Sequence, residues 1–178
     1  LGLRPPEGGL NWSAWSVELV DLDNDGHAEL VTAAGPPGDE GEIDNNQNGL
    51  YQGGEGRFTD RSASLGEDQD WNYGLAVADL FDDGYPEVIV SSINGPLRIY
   101  DNPCGSEAWL QVALPGAIGA QVRVGDQLVE IAGPRSMGQS PAIAQFGGLG
   151  DVANVEILWP GGRLEVLEGV GTRQRITP

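Results

Sequence analysis

The stretch VDLDNDGHAELVTA at residues 20–33 returns later in the chain as ADLFDDGYPEVIVS at residues 78–91. In each copy an apolar segment enters (WSVELV or YGLAVA), an acidic, glycine-containing loop follows, and a second apolar segment leaves (AELVTAA or PEVIVSS). Apolar runs on either side of turn-forming residues are typical of a β-hairpin. The sequence therefore predicts two related hairpins whose connecting loops are unusually long and acidic.

Short strands are expected along the rest of the chain as well. GLYQGGEGRFTD (49–60) and GPLRIYDN (95–102) are expected to complete a small sheet after each hairpin, and from residue 109 the runs WLQVAL, AQVRVG, QLVEIAG, VEILWPGG and RLEVLEG are separated by Gly, Pro and Asp. No segment keeps a helical period over about eleven residues. We therefore predict an all-β chain with a repeat region at 1–104 and a small C-terminal β domain at 105–178.

The composition limits the classes of partner. The formal net charge is −18 and all nine basic residues are Arg, so the surface repels nucleic acid and anionic membranes and attracts metal cations. No apolar run approaches the ~18–20 residues that a membrane span needs. Cys104 is the only cysteine, which excludes a disulfide within this sequence. The chain opens at Leu1 rather than Met, and we expect a processed protein or a fragment.

The first acidic loop has the ligand pattern of a calcium site. Calcium takes about six to eight oxygens, mostly from carboxylates and carbonyls, and a glycine commonly provides the sharp bend in its loop. Here Gly26 would provide the bend, and the predicted ligands are the side chains of Asp21, Asp23, Asp25 and Glu29 and the carbonyl of His27. The alternative is a solvated acidic turn in which Asp and Gly act as turn formers.

The second acidic loop keeps most of this pattern but has lost one ligand. The predicted ligands are Asp79, Asp83 and Glu87 with the carbonyl of Tyr85. Phe81 stands where the first loop has Asp23, and a phenyl ring offers no oxygen to a cation. Either a neighbouring carboxylate or water completes the coordination, or the loop holds no ion, and both interpretations stay open.

A third stretch, DNNQNGLYQGGE at 44–55, fits the EF-hand string D-x-[DN]-x-[DN]-G-x₅-E. An EF-hand needs a helix on each side, yet Gly- and Pro-rich sequence precedes this one. We predict that GLYQ forms a strand and that the match is a coincidence, although Asp44 could still contact an ion.

Beside these arguments from the residues, the sequence resembles two known families. AWSVELVDLDNDGHAELVTA and YGLAVADLFDDGYPEVIVSS resemble FG-GAP/VCBS repeats, the calcium-loop blades of integrin-like β-propellers, and LYQGGEGRFTD resembles the strand and turn that usually follow. WLQVALPG, IGAQVRVG, FGGLGDVANVEILWPGGRLEVL and RQRITP resemble the ASPIC/UnbV domain, which follows such repeats in bacterial secreted proteins and in cartilage acidic proteins. The resemblance implies two propeller-like blades, calcium as the cofactor, and a secreted, extracellular or bacterial cell-surface location.

The sequence departs from these families at several points. Glu29 and Glu87 stand where the repeats usually end in Asp, Gly53 stands where Asn is frequent, and an extra glycine lies between Phe146 and Leu149. Two repeats are also too few to close a propeller, which takes about four to eight blades. Open strand edges would need covering, so we expect a protein partner or self-assembly through them.

The function expected from these features is a non-catalytic, calcium-binding protein of extracellular adhesion or assembly. His27 is the only histidine and lies in the acidic loop, and the chain has no G-x-S-x-G, H-E-x-x-H, P-loop or strand-linked G-x-G-x-x-G motif. A pair of carboxylates acting on a glycoside is not excluded by composition. The alternatives are a glycan-binding module using Trp12 or Trp71, an accessory domain of a larger secreted enzyme, and a subunit of an extracellular filament.

Overall fold

The computed structural model describes residues 13–35, 47–54, 56–66, 70–102, 105, 107–133 and 137–178. These residues form fourteen strands and one short 3₁₀ helix, so the chain is all-β, as predicted. The strands are β1 (Ser13–Val20), β2 (Glu29–Gly35), β3 (Gly49–Gly54), β4 (Arg57–Asp60), β5 (Asn72–Ala78), β6 (Glu87–Ser92), β7 (Arg98–Tyr100), β8 (Leu110–Ala113), β9 (Gln121–Val124), β10 (Gln127–Glu130), β11 (Ile143–Phe146), β12 (Val152–Leu158), β13 (Leu164–Gly171) and β14 (Gln174–Ile176), with the 3₁₀ helix at Ser62–Leu65.

The strands form four open sheets. Their orders are β1-β2-β3-β4, β5-β6-β7, β10-β9-β12-β13 and β11-β8-β14. Neighbouring strands are antiparallel except β8 and β14, which are parallel. Strands up to Tyr100 pair only with one another, and strands from Leu110 onward do the same, within the residues described. The identity of the first two sheets as propeller blades and the type of the C-terminal region remain predictions.

The two predicted hairpins are present and have matching irregularities. The β1–β2 ladder ends at Val20 opposite Glu29, and the β5–β6 ladder ends at Ala78 opposite Glu87. Each ladder also contains a register shift at its far end, between residues 14 and 16 in the first hairpin and between 72 and 74 in the second. Such bulges bend a strand and increase its twist, so the two hairpins share a bend as well as a loop.

Apolar residues of the two hairpins pack together in one core. Burying a Val or Leu side chain fully contributes ~1.5–3 kcal/mol, which makes this shared core the main attraction between the first two sheets. At the outer end of β1, the Trp15 and Tyr73 rings lie with their centroids 5.0 Å apart, so these two aromatic side chains pack the two hairpins together. The core residues are Leu22, Val31, Ala33, Leu75, Val77, Val88 and Val90.

A second core lies between the two C-terminal sheets. It includes three large, fully buried side chains, Leu110, Phe146 and Ile157, which come from β8, β11 and β12. β11 and β14 are strands that the sequence patterns did not predict, whereas the strand expected at GLYQ is confirmed as β3. None of the helices in the described part of the chain has the length and apolar character to cross a membrane.

Candidate metal centre

The first acidic loop joins β1 to β2 and brings its carboxylates to the end of the hairpin. Asp21 directly follows β1, and Glu29 opens β2 opposite Val20. Between them the backbone reverses through two left-handed residues, Asn24 (φ 60°) and Gly26 (φ 92°). This conformation is open to Gly and tolerated by Asn, so the local sequence suits a loop that folds back on its own acids.

Three carboxylates converge in this loop. One oxygen from each of Asp21, Asp23 and Glu29 lies within 4.8 Å of the other two. Calcium ligands lie ~2.3–2.6 Å from the ion, so two oxygens on opposite sides of one ion are about 5 Å apart. A single calcium ion can therefore reach all three carboxylates without a rearrangement of the loop.

Backbone donors fix the orientation of the triad and leave one oxygen without a partner. Gly26 N–H donates to Asp21 Oδ2 at 3.0 Å, and Leu22 N–H donates to Glu29 Oε2 at 2.8 Å. Asp21 is only 5% exposed, and its Oδ1 is buried with no hydrogen-bond partner. A buried polar atom without a partner costs ~1–3 kcal/mol, which a bound cation removes.

The neighbouring strand β3 supplies two contacts that the sequence patterns did not predict. Gln52 Nε2 donates to Asp23 Oδ2 at 3.2 Å, and Gly53 N–H donates to Glu29 Oε1 at 3.2 Å. A Cβ on Gly53 would lie 2.3 Å from the carbonyl oxygen of Ala28, so only glycine allows this approach. The glycine at this position therefore has a local explanation.

The electrostatics of the triad favour a cation. Burial, together with the charges of Asp25 and Asp23, raises the pKa of Asp21 to about 6, although the hydrogen bond from Gly26 lowers it. Burial also raises the pKa of Glu29 to about 8 and moves that of Asp23 upward, with nearby carboxylates adding to both shifts. Like charges in a poorly solvated site oppose ionisation, and a divalent ion reverses that effect.

Two residues of the predicted ligand set lie outside the triad. The Asp25 side chain is exposed, and its Oδ1 accepts the N–H of His27 at 2.8 Å. His27 is exposed as well. The structure thus brings together the side chains of Asp21, Asp23 and Glu29, whereas the exposed side chain of Asp25 is not part of this group. The carbonyl of His27 as a ligand stays a prediction.

Three hydrogen bonds inside the first loop recur in the second. Gly84 N–H donates to Asp79 Oδ2 at 3.0 Å, Leu80 N–H donates to Glu87 Oε2 at 2.7 Å, and Tyr85 N–H donates to Asp83 Oδ1 at 2.9 Å. In the first loop the equivalent donors are the N–H groups of Gly26, Leu22 and His27. The left-handed residues recur too, at Asp82 (φ 56°) and at the loop glycine (φ 86°).

The carboxylates of the second loop have different neighbours. Its four predicted residues form no group of three metal-binding side chains among the residues described, and Phe81 points a 65% exposed ring outward. Asp79 Oδ2 instead accepts Gln111 Nε2 at 2.9 Å and Arg175 Nη2 at 3.3 Å. Arg175 Nη1 also lies 2.9 Å from Asp82 Oδ1.

Both loops lie against the C-terminal sheets. Gln145 Nε2, from β11, donates to Asn24 Oδ1 at 2.6 Å and to the carbonyl of Gly84 at 3.1 Å. Asn24 Nδ2 donates to that same carbonyl at 2.9 Å, and Gly148 N–H donates to the Asn24 carbonyl at 2.7 Å. The tips of the loops are therefore held together and held to β11.

Of the other residues that the sequence patterns single out, some lie outside the described part of the chain and one lies inside it. Asp44, Cys104 and Trp12 lie outside it. Asn48 of the EF-hand string lies inside it. Its Oδ1 accepts Ala34 N–H at 3.1 Å, so this side chain forms a hydrogen bond with the backbone of β2.

Comparison with known proteins adds no assignment. No protein-family model matches the chain, and no curated protein matches its sequence.

Proposed function

We propose that the chain is a non-catalytic, calcium-binding protein of extracellular adhesion or assembly. Calcium would be held by Asp21, Asp23 and Glu29 and would tie the end of the first hairpin to β3. The observation that carries this proposal is the buried Oδ1 of Asp21, which has no partner although it belongs to a triad of converging carboxylates.

The chemistry of the triad supports calcium as the ion. All three groups are hard carboxylate oxygens, which favour calcium or magnesium over the softer metals that select Cys and His. Magnesium demands near-ideal octahedral geometry with ligands ~2.0–2.1 Å from the ion, whereas calcium tolerates the irregular arrangement of a loop. Calcium must also displace protons from groups with raised pKa values, which weakens binding near neutral pH.

The weak binding expected from these pKa values would suit an extracytoplasmic location. Extracellular calcium modules work at dissociation constants of ~10⁻⁴–10⁻³ M, far above the range of cytosolic sensors. A site with three carboxylates, all of them with raised pKa values, suits that range.

The open sheets support a role in adhesion or assembly. β7 is an edge strand that pairs only with β6 among the described strands. Ile99 within β7 and Ile93 and Leu97 before it are exposed. Edge strands with apolar neighbours favour pairing with another chain. We propose a second protein, or a second copy of this one, as the partner.

Calcium titration followed by thermal melting tests the metal site. At free calcium tenfold above its dissociation constant, binding contributes about 1.4 kcal/mol, which should raise the melting temperature by roughly 3–6 °C. Asp23→Ala should abolish the rise because it removes one of the three carboxylates. Asp126→Ala, at an exposed turn between β9 and β10, removes the same charge and should leave the rise intact. A melting temperature of the unmodified protein that does not change with calcium would refute the site.

A further inference from the structure

We propose that the guanidinium of Arg175 is the resident cation of the second acidic loop and that it keeps calcium out of that loop. The native chain then binds one calcium ion, in the first loop, and Arg175 determines this stoichiometry. The first-loop part of the statement rests on the proposed function, whereas the second-loop part stands on its own contacts.

The contacts of Arg175 are those of a built-in counter-ion. Its two terminal nitrogens approach Asp79 Oδ2 at 3.3 Å and Asp82 Oδ1 at 2.9 Å, and its Nε donates to Gln111 Oε1 at 2.6 Å. The side chain of Asp79 is 1% exposed, so water solvates its charge poorly. Arginine suits this role because its planar fork reaches several acceptors at once and stays charged at all relevant pH values.

The hydrogen bonds of the two loops differ at the aspartate that follows the first strand of each hairpin. Asp21 in the first loop has one buried oxygen without a partner. Asp79, at the equivalent place in the second loop, has both oxygens occupied: Oδ1 accepts Asp83 N–H at 3.1 Å, and Oδ2 accepts three donors, including Arg175. Asp21 therefore has an oxygen available to a cation, whereas Asp79 has both oxygens occupied and a guanidinium beside it.

Apart from its contact with Arg175, the second loop retains features of a metal site. Glu87 is 0% exposed, and its Oε1 is buried without a partner. The ligand missing from the sequence is at Phe81, the equivalent of Asp23, and that side chain is exposed enough to be replaced without disturbing a core. Removing Arg175 and restoring the carboxylate at 81 should therefore create a second site.

Isothermal titration with calcium, on protein stripped of metal, tests whether Arg175 keeps calcium out of the second loop. All variants carry Asp23→Ala, so that only the second loop can bind an ion. Asp23→Ala alone and Asp23→Ala/Phe81→Asp should bind no ion, because Arg175 still occupies the loop. Adding Arg175→Gln to the latter should give one bound ion. The matched control adds Arg163→Gln, which removes an equal charge from an exposed site beside Glu165, and should bind none.

The outcomes separate the two proposals. If the unmodified chain binds no calcium while the triple variant binds one ion, the proposed function fails and the role of Arg175 stands. If Phe81→Asp binds an ion with Arg175 still present, or if the folded triple variant binds none, the role of Arg175 is refuted.

A measurement on the native chain gives an independent reading. The Arg175 Nε–H signal, followed by NMR, should stay unchanged when calcium saturates the first loop. Its loss on adding calcium would show that the ion displaces the guanidinium and would overturn the proposal.

Discussion

At the scale of single residues, Asp21 and Asp79 show how one local pattern leads to two electrostatic solutions. Both follow the first strand of a hairpin, and both accept the N–H of the loop glycine at 3.0 Å. Asp79 also accepts from a guanidinium, whereas Asp21 has an oxygen without a partner. The oxygen without a partner in Asp21 corresponds to Asp79 Oδ1, which accepts the N–H of Asp83 in its own loop. The contact from Arg175 reaches Asp79 Oδ2 and comes from far along the chain, so the loop sequence itself does not contain it.

The raised pKa values in the first loop predict a pH dependence that calcium reverses. Burial raises the pKa of Asp21 to about 6 and that of Glu29 to about 8, whereas both groups titrate near pH 4 in an unfolded chain. The metal-free folded state therefore binds more protons than the unfolded state, and its stability should fall as pH rises from about 4 to about 8. Calcium binds the deprotonated groups, so its stabilising effect should grow over the same range.

Calorimetry of metal-stripped protein, with and without calcium, checks this prediction at about pH 5 and about pH 8. The rise in melting temperature that calcium causes should be clearly larger at the higher pH. Glu29→Gln removes the group with the highest pKa, so the metal-free variant should lose less stability between pH 6 and 8. An equal calcium effect at both pH values would contradict the assignment of these carboxylates as ligands.

At the scale of elements, the strands that could be predicted are those marked by a local pattern of apolar and turn-forming residues. The two hairpins were predicted from alternating apolar residues and turn formers. Because the pattern occurs twice, the structure tests the same prediction at two places, and both hairpins are present. β14 has only three residues and gains its stability from parallel pairing with β8, so no local alternation marks it. The donors from Gln52 and Gly53 to the acidic loop escaped prediction for the same reason, since they depend on how β3 lies against that loop.

The packing of the second loop against β8 gives a prediction at this scale. Gly84 has φ 86°, and a Cβ there would lie 1.9 Å from the ring of Trp109. Gly116 has φ 80° but open space around the equivalent position. Gly116→Ala should therefore lower the free energy of unfolding only by the ~1–2 kcal/mol of left-handed strain, and Gly84→Ala should lower it by that amount plus ~1–3 kcal/mol of overpacking.

Urea denaturation of the two glycine variants, followed by tryptophan fluorescence, measures the difference. The larger loss should appear at Gly84, together with a changed emission from the displaced Trp109. Equal losses at the two glycines would show that the second loop does not pack on the ring as described.

At the scale of the whole molecule, the acidic loops form the joint between the N-terminal hairpins and the C-terminal sheets. Ser140 adds a separate link, because its hydroxyl donates to Glu18 at 3.0 Å and accepts Val77 N–H at 3.0 Å. Gln145 joins both loop tips to β11. An ion that orders the first loop should therefore stabilise strands that contribute no ligand to it.

Hydrogen exchange tests this coupling between the metal loop and β11. A calcium contribution of about 1.4 kcal/mol corresponds to roughly tenfold slower exchange wherever opening requires release of the ion. In the unmodified protein, calcium should slow exchange in β1 and β2 and also in β11. Gln145→Ala cuts the contacts to Asn24 and Gly84, so the slowing should persist in β1 and β2 and largely disappear from β11. Gln121→Ala, which removes a surface contact to Glu130, should leave both effects in place. Slowing of β11 that persists in the Gln145 variant would mean that the coupling does not pass through Gln145. No slowing of β11 in the unmodified protein would mean that the ion stabilises only its own hairpin and that the two halves of the molecule respond to calcium independently.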